Sequence, residues 1–340
     1  MKTYHNFLFL LLLIVFSPAA FGQANNAAKA LVDQGVALND SGKYDKAIAK
    51  YNEAIKTYPD YPTAYYELGY TLFSTGKEKD AIPYLEKVLK LDPKSAGAYD
   101  MLGSIYDDSK QFDKAIDYYK KGIEVNPNYQ RLYYNLSISY LRQKKYAESE
   151  SYAIQAIKLQ PKHASSQRAY AMATFNENKR GVSLLAWCSF LLLEPQTKRS
   201  TEAYNYVHYI INYGIKSTGE KNVNITVSTN DMDSGNFMMP ISVLAATTDK
   251  KGLSRTDSLS LQLKSLFEVS GGFTGKKEDA FYKNYFSEYF KKLAETDNMQ
   301  AFARLISIGA YQDENLQWFK DNNAKLSALD AWVTATKREF

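Results

Sequence analysis

Cysteine is nearly absent: the 340 residues hold one, Cys188. A single thiol cannot close an intramolecular disulfide, so no covalent staple holds the fold. Cys188 lies inside the apolar run Val182–Leu193, where a thiol behaves as a small buried hydrophobe. Histidine is almost as scarce, with three residues, and one of these, His5, precedes the apolar stretch near the N-terminus. Neither His163 nor His208 has Cys, His or carboxylate neighbours at ligand spacing, so no metal motif is encoded. The charges are also balanced. Residues 28–197 hold 23 basic and 20 acidic residues, and 198–340 hold 18 and 17. A phosphate-backbone binder concentrates basic residues, and neither half does, which argues against nucleic acid as a partner.

A hydrophobic run without a polar residue stands near the N-terminus. Lys2 is followed by Phe7–Phe16, then Ser17, Pro18 and the small-residue pattern Ala20-Phe21-Gly22 before Gln23. A charged start, a short apolar core and a cleavage-like site read as a secretory signal peptide over residues 1–22, leaving Gln23 as the new N-terminus. Such a core spans about 15 Å as a helix, against about 30 Å for a bilayer interior. No Cys stands near the cleavage site to carry a lipid. The chain is therefore expected to be exported, to the periplasm or an outer surface, with no spanning segment after cleavage; retention of residues 1–22 as an anchor is the competing reading.

What the chain does have is a period. Pro59, Pro93, Pro127, Pro161 and Pro195 stand 34 residues apart. In the same register run a small-residue column, Gly35, Gly69, Gly103, Ser137 and Ala171, and another, Ala47, Ala81, Ala115, Ser149 and Ser183. A looser third column is Ala54, Val88, Gly122, Ala156 and Phe190. The steric reason is common to all of them: small residues on two successive helices let the pair approach closely, and proline ends the second helix of each unit. Between these marks the apolar spacing is helical, as in Ala47, Tyr51, Ala54 and Ile55. One such hairpin cannot bury its own faces, so neighbours must stack.

These columns resemble the tetratricopeptide repeat, whose pattern of Leu-Gly, Tyr, Ala, Tyr or Phe, Ala and Pro recurs at this length. The third unit shows it as Leu102-Gly103, Tyr106, Ala115, Tyr119 and Pro127. The repeats are 28–61, 62–95, 96–129, 130–163 and 164–197; the fifth keeps the register but departs with Trp187 and Phe190. The resemblance implies an all-α fold, a right-handed solenoid, capped here by a mainly helical domain over 198–340. It also implies a protein or peptide partner held on a concave wall built from first helices. Carried over position by position, that wall would offer Tyr66, Tyr70 and Phe73 in repeat two, and Asp100, Asp107 and Asp108 in repeat three. Repeats four and five would add Arg131, Tyr134, Arg142, Arg168 and Met172. The competing reading packs several of these tyrosines between repeats and leaves the charges as a solvated face. A chaperone-type carboxylate clamp is not implied, because Val32 and Val36 stand where it needs Lys and Asn.

After Pro195 the period stops. The run 182–193 is apolar almost all round, so it must be covered on both sides, and residues 198–340 are expected to dock on repeat five. Helical patterns follow near 237–249, 256–269, 277–296, 298–311 and 314–338, with breaks at Gly271-Gly272 and Asp321-Asn322-Asn323; 222–228 alternates like a strand or extended link. Phe281, Tyr282, Tyr285, Phe286, Tyr289 and Leu293 form one helical stripe, read as core.

Catalytic motifs come near but fail. Gly271–Lys277 approaches a phosphate loop, but Ser270 occupies the first Gly position and Lys277 the Mg²⁺-binding hydroxyl position. Asn230–Gly235 begins like a calcium loop, but Leu244 stands where the closing glutamate belongs. No Gly-x-Ser-x-Gly elbow is present. The sequence thus points to an exported, non-catalytic scaffold with no cofactor. The alternative is a C-terminal hydrolase or carbohydrate-binding domain positioned by the repeats.

Overall fold

The computed structural model describes residues 18–217, 223–229, 231, 235–248, 250–275 and 279–340. The apolar N-terminal run lies outside them, and the expected cleavage point after Gly22 falls within the first helix, α1 (Pro18–Asp40). The chain divides into two compact units, Met1–Asn126 and Pro127–Phe340.

The first unit is three helical pairs: α1 with α2 (Tyr44–Thr57), α3 (Pro62–Ser74) with α4 (Glu78–Leu91), and α5 (Ala96–Asp108) with α6 (Phe112–Val125). The small-residue column explains how closely they pair. A Cβ on Gly35 would sit 2.3 Å from the Tyr51 ring, and one on Gly103 would sit 2.4 Å from the Tyr119 ring. Both tyrosines are fully buried on the second helix of their pair. Each pair turns through a left-handed residue at the same repeat position, Gly42 (φ 74°) and Gly76 (φ 79°), then Lys110 (φ 60°). Glycine adopts this conformation without a steric penalty, whereas lysine does not.

The second unit begins with two more pairs, α7 (Gln130–Arg142) with α8 (Tyr146–Leu159) and α9 (Ala164–Asn176) with α10 (Arg180–Leu193). Here the column has become Ser and Ala and makes bonds of its own. Ser137 Oγ donates to the Ser149 carbonyl at 2.9 Å, and Ser183 Oγ donates to the Ala171 carbonyl at 2.8 Å. Lys144 (φ 60°) and Asn178 (φ 59°) occupy the left-handed turn position.

Beyond the repeats, α11 (Lys198–Asn212) opens on a capping box in which Thr197 and Ser200 satisfy each other's backbone N–H groups. A two-stranded antiparallel ribbon follows, β1 (Ile215–Ser217) with β2 (Val223–Ile225), in the register Ile215 to Ile225. Then come α12 (Met238–Thr247), α13 (Arg255–Glu268), a π-helical turn Tyr282–Ser287 running into α14 (Glu288–Ala294), α15 (Met299–Ile306), α16 (Gln312–Asp321) and α17 (Asn323–Ala335). The break between α16 and α17 falls at Asn322, within the Asp-Asn-Asn run.

The all-round apolar α10 is covered on every side. It packs against α9, α11, α15 and the π-turn, and Arg180–Leu191 is buried throughout. Trp187 stacks on Tyr206 (4.7 Å, 11°), and Tyr170 stacks on Phe286 (5.3 Å, 6°). Gly181 admits the Phe273 ring, which a Cβ there would meet at 2.4 Å. One hydrophobic core therefore runs from Ala153 of repeat four to Leu329 of α17. The second compact unit, Pro127–Phe340, thus joins repeats four and five to the helices that follow them. Cys188 is fully buried, and burial pushes its thiol well above its ordinary pKa, which makes it a packing residue.

Candidate partner-binding surface

On the first unit, the family positions fall on α3 and α5. Tyr70 is 42 % exposed, one of four tyrosines, with Tyr44, Tyr209 and Tyr213, that stand exposed among the described residues. Phe73 is half-buried one turn on. Tyr66 is also half-buried, with its hydroxyl against Gly97 on the next first helix, where a Cβ would come within 2.7 Å. Tyr66 thus packs between repeats. Asp100 (1 % exposed) and Asp107 (6 %) are buried, so Asp108 is the exposed member of the expected acidic patch. The helix face that carries them also abuts neighbouring first helices, so the same spacing serves packing. Burial raises the pKa of Tyr119, and the negative charges of Asp107, Asp100 and Asp108 add to it.

On the second unit, Arg131 and Arg142 are exposed on α7. Tyr134 is half-buried and meets the His163 ring edge-on at 5.1 Å. His163 Nδ1 accepts from Gln130 Nε2 at 3.1 Å. Arg168 grips Glu202 of α11 with two bonds from one nitrogen, 2.9 and 3.2 Å, so its charge is committed within the unit. Met172 is half-buried against the main core.

Two charged clusters went unread in the sequence. Arg180 is 6 % exposed, pairs with buried Asp231, and stacks on Tyr213 at 3.8 Å. Burial works to raise the pKa of Asp231, but hydrogen bonds from Ser228 and the Arg180 charge hold it below its ordinary value. The space beside this pair is about 10 Å³, scarcely one water, so the cluster is a buried tie and not a reaction chamber. Arg304 (5 % exposed) reaches Asp257 at 3.5 Å, Glu314 at 3.4 Å and the Trp318 ring at 4.7 Å. No signal in one sequence joins residues 47 or more positions apart into such clusters. Among the described residues no group of His, Cys, Asp and Glu is arranged to hold a metal ion. Among them too, no helix is long and apolar enough to cross a membrane.

Family models agree with the helical pairs. Three models described as "Tetratricopeptide repeat" match residues 62–95, 101–129 and 118–151, and one described as "TPR repeat" matches 35–76. No curated protein matches the chain. Among solved structures, the chain is similar to pilF of Pseudomonas aeruginosa, with 18% identity over 55% of this chain and 89% of that one, TM-score 0.50. MamA shows 26% identity over 47% and 94%, TM-score 0.44. YrrB, described as a TPR protein with an unusual peptide-binding site, shows 19% over 55% and 96%, TM-score 0.45. The pilF likeness shows the fold over about half of this chain. With helical pairs at 34-residue spacing and family matches spread over residues 35–151, that part of the chain consists of tetratricopeptide repeats.

Proposed function

We propose that this protein is an exported scaffold that holds a protein or peptide partner on the first-helix faces of its repeats and performs no chemistry of its own. The observation that carries the reading is Tyr70, an aromatic residue left 42 % exposed on a first helix at a position the family uses for contact. Tyr and Arg are enriched among the residues that carry binding energy at interfaces, and Arg131 and Arg142 stand exposed on α7. Phe73 supplies apolar area beside Tyr70. Tyr70→Ala removes an exposed ring, so the fold is retained; loss of a hot spot of about 2 kcal/mol lowers partner affinity about thirtyfold. Quantitative capture from the native cell envelope measures it, and unchanged recovery of every partner contradicts this placement. Export rests on the leader: the intact mass of protein from the envelope fraction should begin at Gln23, and a mass retaining Met1 supports an anchor instead.

A cleft of about 500 Å³ favours a second reading, a carbohydrate-binding or hydrolytic C-terminal unit. Asp279, Glu288, Lys283, Lys291, Asn284 and Tyr282 line it, a size and polarity suited to a small polar ligand. Saturable glycan binding abolished by Asp279→Asn would establish that role.

A further inference from the structure

The last five residues leave α17 and lie back across the π-turn and α10. Among the described residues their backbone makes no backbone hydrogen bond after Thr336 N–H to the Trp332 carbonyl. Two side chains hold them. Arg338 Nη1 donates to Ser189 Oγ at 2.6 Å; Ser189 belongs to α10 and is 2 % exposed. The same guanidinium lies 3.9 Å from the Tyr289 ring, 4.9 Å from Tyr285, 5.4 Å from Phe290 and 5.8 Å from Phe286. Two residues on, Phe340 stacks on Tyr285 (5.1 Å, 17°), which itself stacks on Phe281 (5.2 Å, 10°).

Four rings around one guanidinium make an aromatic cage. Ring faces attract a cation most strongly when water is excluded, and among the described residues no carboxylate pairs with Arg338 to share the task. Two of the four rings, Tyr285 and Phe286, lie in the π-turn, and Tyr289 and Phe290 in the helix it runs into. Such turns recur at functional sites. The tail does not fill its seat. Phe340 stays 52 % exposed, and a cavity of about 220 Å³ lies between Lys337 and Glu339 on the tail and Asn284, Glu288 and Lys292.

We propose that this cage and shelf form a second binding site, separate from the first-helix faces. It accepts a peptide carrying arginine followed two residues later by an aromatic residue, and the chain's own residues 336–340 mask it. The resident tail displays the ligand chemistry: a guanidinium for the cage and the Ser189 hydroxyl, and a ring for the Tyr285 face. Held by two side chains and no backbone ladder, it yields to a competitor that presents the same two groups.

The test is binding of a fluorescein-labelled peptide with the sequence of residues 336–340, read by fluorescence anisotropy. The full chain and the chain ending at Thr336 are compared. Saturable binding to the shortened chain is expected, with full-length protein about tenfold weaker if the tail is open about one-tenth of the time. Peptides with Ala at the position of Arg338 or Phe340 bind less well. A folded shortened chain that does not bind overturns the proposal, as does equal affinity of both chains. A dimer of the full chain that disappears in the shortened one overturns the partner assignment, because a second copy is then the occupant. Phe340→Ala in the full chain gives an independent arm: it binds peptide more tightly than wild type, and identical binding counts against masking.

Discussion

The close approach of paired helices makes a graded prediction from two glycines of one repeat column and a third at the turn. Gly→Ala in a helix interior normally stabilises by about 1 kcal/mol. At Gly103 the new Cβ would stand 2.4, 2.5 and 2.8 Å from three atoms of the Tyr119 ring. That ring is 1 % exposed, and its hydroxyl lies 3.3 Å from Ser104 Oγ, so it cannot swing aside without losing a bond. Overpacking of this kind costs about 1–3 kcal/mol, at the upper end for a rigid ring. Gly103→Ala should therefore destabilise the first unit by about 1–2 kcal/mol net of the propensity gain. At Gly69 the nearest atoms belong to Leu85, 2.8 Å away, a side chain with other rotamers, so the two effects should nearly cancel. Gly42 is a third case: no atom lies within 4 Å, but φ is 74°, so Ala there costs about 1 kcal/mol in backbone strain alone. Hydrogen exchange of the α2–α6 amides in the full-length protein gives the local opening energies. A Gly103→Ala protein at least as protected as wild type, or a Gly69→Ala protein less protected than Gly103→Ala, would refute the reasoning.

Other outcomes follow from the same geometry. Lys110→Gly relieves left-handed strain worth about 1 kcal/mol but adds unfolded-state entropy of about 0.5–1, so its stability should change by less than 1 kcal/mol; a larger loss on urea titration contradicts the assignment of strain. Tyr170 is fully buried with a hydroxyl that finds no partner among the described residues, so Tyr170→Phe should raise the stability of the second unit by about 1 kcal/mol, and a loss of that size in thermal unfolding would show a missed bond. His163 is held below its ordinary value of 6.5 by burial, with Arg199 adding to it. The unfolded chain then binds a proton the folded one refuses, so this contribution is fully present above pH 6.5 and is lost as pH falls below it. His163→Gln should flatten the urea midpoint between about pH 7 and pH 5, where an unperturbed histidine titrates, and an unchanged slope contradicts the linkage.

The repeat architecture was legible because sterics repeat. Five prolines and a small-residue column mark every pair, and Gly42 and Gly76 announce the turn. The turn at Lys110 is legible from its register with Gly42 and Gly76, but the left-handed conformation of Lys110, Lys144 and Asn178 is not, since context imposes a conformation that lysine does not advertise. At the candidate site, the family positions located exposed Tyr70, Arg131 and Arg142. They did not reveal the burial of Asp100 and Asp107 or the commitment of Arg168 to Glu202, because one helix face serves both packing and presentation. In the C-terminal part the aromatic stripe from Phe281 to Leu293 reads as core and is buried. Its π-helical geometry, and a tail arginine reaching a serine 149 positions earlier, depend on tertiary neighbours that no local pattern records.

Site-specific photocrosslinking in the native cell tests the scaffold reading most directly. A photoreactive residue replacing Tyr70, exposed on first helix α3, is compared with one replacing Glu86, exposed on second helix α4. A discrete protein adduct at position 70 that is missing at position 86 is the predicted result. Equal adducts at both positions, or none at position 70 in the folded protein, would contradict it.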